Sequence, residues 1–367
     1  MMDNRSDHPR DGVDSVLVIG GSVGAGHDGV AAEMASQLAN RGTIVDRRDY
    51  LDALPLPLRI LLRKGYGLLN EHAPGALGAL YFSIERTSWM PRVVDRFCRL
   101  AHPELTRWSY GHTVVISTYP LASQSLGQLK VEGSVTSTLI TYLTDPAVHR
   151  LWIHPAVDHH VTVSELTSEM GWTKYRTAMQ PVGPLVDPAF MQPVSHEKRL
   201  RIRSNLDLSP EGMVILVTGG SLGLGKVKRT VKTIRASVSA EVIVLCGRNG
   251  RLRGDLSRID GVLALGWRSD VADLMAAADV LVHNAGGLSL TEAMVSNLPA
   301  VTYLPIPGHG KANAEALEDA GVIPWPRSNG ELVRCLQRLR GGRDARVEHP
   351  GVDTIDILCA IFSREGD

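Results

Sequence analysis

The sequence of 367 residues lacks most features that mark exported, membrane-spanning or nucleic-acid-binding proteins. Its four cysteines form no CxxC pair, which is typical of buried thiols in a reducing compartment and not of a disulfide framework. The polar N-terminus has no signal-peptide pattern, and no run of about 18 apolar residues occurs anywhere. The formal net charge is zero, which gives no support for nucleic-acid binding. We therefore expect a cytoplasmic protein without membrane spans.

A chain of this length is expected to form two domains, and its 44% of hydrophobic residues is enough to form a core in each. Strand-like and helix-like segments alternate, which predicts an α/β fold with parallel sheets. Residues 1–14 are polar and predicted to be disordered. The proline-rich stretch from Pro181 to Pro193 predicts an interdomain linker. We assign 15–187 to an N-terminal domain and 196–345 to a C-terminal domain.

One glycine motif, GGS-x-G-x-G, occurs twice, beginning at Gly20 and again at Gly219, 199 residues later. Each copy follows an apolar strand and leads towards a helix. Glycine-rich turns recur in any α/β protein, but a repeat of this length favours two Rossmann-like domains that face a cleft. In the first copy Gly21, Gly24 and Gly26 are spaced in the reverse order of the dinucleotide fingerprint, which argues against NAD.

A second glycine-rich strand end lies between Leu265 and Asn313. The apolar strand ADVLVHN runs into a glycine pair, and a helix is predicted to begin directly after it. Free amides at such a helix start favour an anion, and a carboxylate one turn inside suits sugar hydroxyls, so we expect a nucleotide diphosphate. Alternatively, Ser289-x-x-Glu292 is only a capping box. The residues of this predicted site are Gly286, Gly287, Leu288, Ser289, Thr291 and Glu292.

This segment resembles the donor half of GT-B glycosyltransferases of the MurG and monogalactosyldiacylglycerol synthase type, which includes processive diacylglycerol glucosyltransferases. The segments GGSVGAGH, TDPAVHRLWIHPAVDHHVTVSE and LCGRNGRL share the resemblance. It implies a GT-B fold in which the C-terminal domain binds a UDP-sugar, the N-terminal domain binds the acceptor, and residues 352–367 pack back on the N-terminal domain. The further donor-binding residues that it implies are Gly220, Ser221, Gly223, Gly247, Arg248, Trp267, His309 and Asn313.

Two side chains are candidates for the base that deprotonates an acceptor hydroxyl. His27 follows the first glycine loop at a helix start, where the helix dipole favours a neutral imidazole. Asp145 ends a predicted strand at the edge of the sheet where ligands bind. Alternatively, His27 bonds only locally and Asp145 only begins an Asp-Pro turn. In the resembling family the loop histidine lies on the acceptor side, together with the glycines that correspond to Gly24 and Gly26.

We expect no metal and no cofactor besides the UDP-sugar substrate. The histidines between Asp145 and Ser164 match no closed zinc ligand spacing, and no Asp-x-Asp motif is available to bridge a cation to a diphosphate. Amides and helix ends would then hold the leaving phosphates. The four histidines concerned are His149, His154, His159 and His160.

Two positions depart from the resembling family. His309 stands where relatives usually have Gln, and Asp187 stands where they have Arg. An arginine replaced by a carboxylate removes a positive charge near the predicted cleft. The identity of both the donor sugar and the acceptor therefore stays open.

Residues 54–82 are apolar with interleaved cationic side chains, a pattern that fits an anionic membrane surface and a lipid acceptor. Ordinary amphipathic core helices are the alternative. Lipid transfer predicts peripheral contact with the inner face of the plasma membrane. Other interpretations are a glycosyltransferase with a soluble natural-product acceptor, a UDP-sugar 2-epimerase, and a nucleotide-sugar sensor without catalysis.

Overall fold

The computed structural model describes residues 15–87, 89–284, 287–340 and 353–363, which form two parallel β-sheets with helices on both faces. The strands are β1 (Ser15–Gly20), β2 (Ile44–Asp49), β3 (Val114–Ser117), β4 (Thr138–Leu143), β5 (His159–Thr162), β6 (Gln180–Pro181), β7 (Val214–Thr218), β8 (Glu241–Leu245), β9 (Val262–Leu265), β10 (Val280–His283) and β11 (Ala300–Thr302). The helices are α1 (Ala25–Asn40), α2 (Leu56–His72), α3 (Pro74–Arg86), α4 (Met90–Cys98), α5 (His102–Ser109), α6 (Pro120–Val131), α7 (Glu165–Tyr175), α8 (His196–Asn205), α9 (Val227–Ser237), α10 (Gly250–Leu256), α11 (Val271–Ala277), α12 (Leu288–Val295), α13 (His309–Asp319), α14 (Asn329–Arg338) and α15 (Thr354–Ser363). The predicted disordered start (1–14), residues 341–345 and the ends of the tail at 352 and 364–367 lie outside the described residues.

The N-terminal sheet has six strands in the order β2-β1-β3-β4-β5-β6, all parallel. Its central strands are continuous apolar runs because both faces are covered, and Val16 to Ile19 of β1 are completely buried. Strand β2, IVDRRD, is an edge strand and mostly exposed. The predicted strand at 138–145 ends at Leu143, so Asp145 lies just beyond the sheet.

The C-terminal sheet has five parallel strands in the order β11-β10-β7-β8-β9. This is the Rossmann strand order, whereas the strand order of the N-terminal sheet is that of flavodoxin. Both are open parallel sheets of the doubly wound type, so the predicted α/β fold with two Rossmann-like domains is confirmed. In each sheet the strand order reverses once, between β1 and β3 in the first and between β7 and β10 in the second. Ligands of open parallel sheets bind beyond the carboxyl ends of strands at such points. Both glycine motifs follow the first strand of their sheet there.

The chain crosses between the sheets twice. After the short edge strand β6, the proline-rich segment ends in a 3-10 helix at Pro188–Met191 before α8 begins the second half. Helix α15 then packs on the N-terminal sheet, where Ile355 and Leu358 are completely buried. The Thr354 hydroxyl donates to the Pro184 carbonyl at 3.0 Å, so the start of α15 lies beside the proline-rich segment. The exact limits 187 and 196 stay a prediction.

Helices α2, α3 and α4 form a helical arm of the N-terminal domain, in which α4 packs against α6 while α2 and α3 reach the loops of the C-terminal domain. A Cβ atom at Gly78 of α3 would lie 2.9 Å from Pro307, and one at Gly67 of α2 would lie 4.0 Å from Leu222. Residues 54–82, predicted to face a membrane, occupy the first two of these helices. Within the ranges described above, the structure has no helix of the length and apolarity needed to cross a bilayer.

Candidate active site

The first glycine loop brings His27 to the carboxyl end of β1. Helix α1 begins at Ala25, so His27 lies in its first turn. Residue 21 must be small, because a Cβ atom there would lie 2.5 Å from the Tyr119 ring. That ring packs edge-on to the imidazole of His27 at a centroid distance of 5.4 Å, and buried Trp152 lies 5.6 Å away on another side. Aromatic packing therefore fixes the orientation of the imidazole.

Hydrogen bonds and burial together favour a neutral His27. Its Nδ1 atom lies 2.9 Å from the Thr144 hydroxyl. Burial is the main cause that lowers the pKa of His27; the Asp145 carboxylate acts in the opposite direction and His309 lowers the pKa further. If Nδ1 donates to Thr144, Nε2 is left as a proton acceptor. Sequence reasoning missed Thr144, although its position directly before Asp145 at a strand end was a usable signal.

Asp145 lies where the two domains meet. Its Oδ1 atom accepts a hydrogen bond of 3.2 Å from the Asn313 amide on α13, and the Asn313 Oδ1 atom accepts from the Ala147 backbone at 3.0 Å. A Cβ atom at Gly287 would lie 4.0 Å from the same Asp145 oxygen. The Asn313 side chain, 1% exposed, thus joins the domains. Its predicted contact with sugar hydroxyls stays a prediction.

The two glycine loops touch each other across the cleft. The Ser221 hydroxyl of the second loop accepts a hydrogen bond of 3.0 Å from the Ala25 amide, the first amide of α1. Around this contact, Cβ atoms added at Gly24, Gly26 or Gly220 would meet no atom within 4 Å. The described protein atoms therefore leave backbone accessible on both sides of the cleft, as a closely approaching ligand requires.

Behind this contact the second loop interlocks with the loop after β8. Gly247 has φ +57°, and a Cβ atom there would lie 2.2 Å from the Ser221 carbonyl oxygen, so only glycine fits. The Arg248 amide donates to that same oxygen at 2.8 Å. The Arg248 guanidinium lies over the Trp267 ring, 4.9 Å from its centroid. Gly223, with φ +56°, completes the turn, and these five predicted residues lie together beside the cleft.

The start of α12 forms the floor of the predicted nucleotide site. Gly286 lies outside the described residues, whereas Gly287 has φ +73° and precedes the first helical residue, Leu288. The Thr291 hydroxyl donates to the Gly287 carbonyl at 3.3 Å. The Leu288 side chain packs against the cores of both domains, and Ser289 is half-buried beside it. The Leu290 and Thr291 amides donate to the Gly287 carbonyl, so an anion at this helix start would be bound by the amides that precede them.

Glu292 is half-buried one turn inside α12. Burial raises its pKa to about 8, and the nearby carboxylate of Asp187 raises it in the same direction. Asp187 itself accepts a hydrogen bond of 2.8 Å from the Ala189 amide and so caps the 3-10 helix of the linker. This cap explains a short polar side chain at position 187, where the resembling family has Arg. An incoming hydroxyl would give the Glu292 carboxylate a hydrogen-bond donor.

His309 begins α13 and faces the first glycine loop closely enough to lower the pKa of His27. Gly308 before it has φ +83° and packs against Tyr81 of the helical arm, because a Cβ atom there would lie 3.1 Å from the Tyr81 Cβ. The structure thus brings His27, Asp145 and His309 together at the cleft. The predicted donor loops surround them.

The four histidines considered for zinc serve other contacts. His149 packs against Tyr81 and lies 3.2 Å from its carbonyl, while the His154 amide contacts His160. Burial lowers the pKa of His160 to about 4. Within the part of the chain that the structure describes, no group of three or more His, Cys, Asp or Glu side chains is arranged to hold a metal ion.

Two family models match the chain, one in each half. The first, described as monogalactosyldiacylglycerol (MGDG) synthase, matches residues 28–173, and the second, described as glycosyltransferase family 28 C-terminal domain, matches residues 214–325. Processive diacylglycerol beta-glucosyltransferase from Bacillus licheniformis is 22% identical over 340 residues, covering 89% of this chain and 86% of that protein.

Solved structures give the same fold. MurG of Acinetobacter baumannii aligns over 96% of this chain and all of that one, with a TM-score of 0.56 and 15% identity. Arabidopsis thaliana UGT89C1, solved with UDP-L-rhamnose, aligns over 96% of this chain and 99% of that one, with a TM-score of 0.61 and 15% identity. These structures show that the chain has the GT-B fold, and the two family models show that its halves are similar to monogalactosyldiacylglycerol synthase and to the C-terminal domain of family 28 glycosyltransferases.

Proposed function

We propose that this glycosyltransferase moves a hexose or N-acetylhexosamine from a UDP-sugar to a hydroxyl of a glycerolipid such as diacylglycerol, with inversion at the anomeric carbon and without a metal ion. The observation that carries the proposal is the contact between the glycine loops, in which Ser221 meets Ala25 while the neighbouring glycines stay accessible. A pyrophosphate bound there would meet backbone amides and the start of α12.

The proton of the acceptor hydroxyl goes to His27 in this proposal. The neutral ring is held by Thr144 at Nδ1, so Nε2 accepts the proton as the acceptor oxygen attacks the anomeric carbon. The bond from that carbon to the diphosphate oxygen breaks at the same time. Asp145 beside the ring stabilises the imidazolium that forms, which is the direction in which its carboxylate shifts the pKa of His27.

The UDP leaving group gains negative charge during this step. The amides at the start of α12 and in the second glycine loop would stabilise that charge without reorganisation, because the folded backbone already fixes them. Glu292 would accept hydrogen bonds from the ribose hydroxyls. Trp267, with 54% of its surface exposed and Arg248 on one face, would lie near the uracil.

The helical arm supports a lipid acceptor. Apolar side chains along it are exposed to solvent, including Leu61 at 61% and Leu68 at 58%. Of the cationic side chains predicted to face lipid, Arg59 and Arg63 instead pair with aspartates of the N-terminal domain. Exposed arginines do occur beside the exposed side chains of Trp89 and α4, a pattern suited to anionic lipid. These arginines are Arg92, Arg96 and Arg99.

The curated relatives named as diacylglycerol beta-glucosyltransferases support the same acceptor class. Peripheral binding at the inner face of the plasma membrane follows from a lipid acceptor and a nucleotide-sugar donor of the cytoplasm. The proposed acceptor class and the proposed membrane binding do not depend on which hexose is transferred.

The test is transfer of radiolabelled sugar from UDP-glucose, UDP-galactose or UDP-N-acetylglucosamine to dioleoylglycerol in vesicles with EDTA present. We expect a labelled glycolipid of inverted anomeric configuration from at least one donor, at a rate that anionic lipid increases. No transfer to lipid from any donor would overturn the proposal. Conversion of UDP-N-acetylglucosamine without an acceptor would instead identify an epimerase.

A further inference from the structure

One face of α2 lies over the candidate active site. Arg63 donates to the Ser22 hydroxyl of the first glycine loop at 3.2 Å and to Asp49 at 2.6 Å. Gly67, one turn later, faces Leu222 of the second glycine loop. Positions 63, 66, 67 and 70 lie on one side of a helix because they are three or four residues apart. Tyr66 and Asn70 therefore share the face of α2 that covers the cleft.

Tyr66 connects this face to the reacting groups. Burial raises the pKa of the Tyr66 phenol to about 12, and the Asp145 carboxylate raises it in the same direction, so the phenol lies near Asp145. Asn70 shifts the same pKa downwards, so its amide is a close neighbour of that phenol, although the two do not form a hydrogen bond of normal geometry.

The Asn70 side chain is buried next to the Tyr66 phenol and makes no hydrogen bond of normal geometry. It is 3% exposed, and neither its Nδ2 nor its Oδ1 atom has a partner among the residues that the structure describes. A buried amide without partners is costly, and such groups are rare in native proteins. Leucine would fill a comparable space at the same position without that cost. An amide kept in this position indicates a polar ligand that completes its hydrogen bonds.

We propose that Asn70 binds the polar head of the acceptor lipid, donating its two Nδ2 protons to an ester carbonyl and to the oxygen of the hydroxyl that receives the sugar, whose own proton is left for His27. This role rests on the proposed transfer to a glycerolipid and adds the residue that selects an ester-linked acceptor. A diacylglycerol offers both oxygens on adjacent carbons, which matches the two N–H donors of one amide. The exposed apolar side of α2 would hold the acyl chains beside the membrane.

The test compares wild type with Asn70→Leu on two acceptors, a diacylglycerol with ester carbonyls and the corresponding dialkylglycerol without them. We expect wild type to prefer the ester lipid about 10-fold in kcat/KM, because the dialkyl lipid leaves the Asn70 donor unpaired. In Asn70→Leu the value for the ester lipid should fall about 10-fold or more, and the preference should shrink to below about twofold. UDP affinity by calorimetry should match wild type, since the donor site is elsewhere.

A measurement without substrate separates this role from the proposed function. Asn70→Leu should raise the Tm of the unliganded protein by about 3 °C, because it removes a buried amide that has no partner. Asn284→Leu is the matched control: Asn284 is also buried, but its amide donates to the Leu224 carbonyl at 2.7 Å, so its loss should lower the Tm.

The outcomes are distinct. An Asn70→Leu protein with unchanged or lower Tm, or with the ester preference of wild type, would overturn the role of Asn70 while leaving glycosyl transfer to lipid intact. If wild type transfers sugar to neither lipid, the proposed function fails. The Tm values of wild type and Asn70→Leu would then still show whether the Asn70 amide is unsatisfied in the unliganded protein.

Discussion

The two copies of GGS-x-G-x-G have the same glycine spacing but fold differently. In the first copy the helix begins inside the motif, at Ala25, and Gly24 before it is extended with φ −143°. In the second copy three glycines have positive φ, Gly220, Gly223 and Gly225, and the next helix begins only at Val227. The first loop therefore presents a helix start and the side chain of His27. The second presents a wide turn of backbone.

In the proposed mechanism, this difference assigns proton transfer to the first loop and donor binding to the second. A helix start with a half-buried neutral imidazole suits proton transfer, whereas a turn that packs against Gly247 suits a ligand held by backbone groups. Substitutions on the first side should change kcat, and substitutions on the second side should change affinity for the donor. The predictions below test that division.

The largest effect is expected at His27. His27→Gln should lower kcat about 10³-fold while the Kd for UDP stays within about twofold, because the base is lost and the donor site is not. Steady-state kinetics with calorimetry of UDP binding measures both. A variant that loses UDP binding instead would break the division between the two loops.

Asp145→Asn is the matched comparison for His27. It should lower kcat about 10-fold to 100-fold, since Asp145 only stabilises the imidazolium. The carboxylate raises the pKa of His27, so its removal should move the acid limb of the pH profile to lower pH. In wild type that limb lies below the ordinary histidine pKa of 6.5, because activity needs the neutral ring and burial lowers the pKa. Greater loss in Asp145→Asn than in His27→Gln would make Asp145 the base.

On the donor side the largest effect is expected at Glu292. The ionised carboxylate accepts from ribose, so wild-type affinity for UDP should rise with pH up to the Glu292 pKa of about 8. Glu292→Gln should bind UDP about 30-fold more weakly at pH 8 and lose this rise. Asp187→Asn should lower the Glu292 pKa and strengthen binding about threefold at pH 7. Unchanged pH dependence in both variants would remove Glu292 from the site.

Stability of the unliganded protein gives a second measurement at Glu292. The folded-state pKa is raised, so folding favours the neutral carboxyl, and that contribution is lost as pH rises from about 4.5 to about 8. Wild type should therefore lose Tm across this window. The Tm of Glu292→Gln should fall less over the same pH range. Adding UDP should reverse the fall in Tm of wild type and should have no such effect on Glu292→Gln.

The smallest effect is expected at the equivalent serines of the two motifs. Ser221→Ala removes the acceptor of the Ala25 amide across the cleft and should raise the donor KM about fivefold, the effect of losing a helix cap of about 1 kcal/mol. Ser22→Ala loses bonds to Asp49 and Arg63 within the first half and should leave the donor KM unchanged. Hydrogen exchange of peptides covering Ala25 should be faster only in Ser221→Ala.

The fold followed from the sequence wherever apolar strands were continuous. Segments such as SVLVIG and EVIVL are buried along almost their whole length, and the predicted parallel sheets are confirmed. Strand β2, which pairs with β1, was not predicted. Its sequence IVDRRD is an exposed edge strand and has too many charged residues to show the apolar pattern of a strand. Helices α4 and α5 were also missed, since each is shorter than the stretch over which helical periodicity can be recognised in a sequence.

Site residues in motifs were predictable, but their contacts were not. Glycine loops mark His27 and Gly287 in the sequence, because tight turns restrict residue choice. The bond from Thr144 to His27 and the link from Asn313 to Asp145 join residues more than 100 positions apart. Asn70 has no motif at all, and only burial in the folded protein distinguishes it from a surface amide.

The bond between the Thr354 hydroxyl and the Pro184 carbonyl ties the proline-rich segment to the start of α15. Two chain segments held together at one place restrict the relative motion of two lobes more than a single flexible linker does. We therefore expect the cleft to open by rotation about the region of this bond. The reverse rotation would return Ser221 to Ala25 after each turnover.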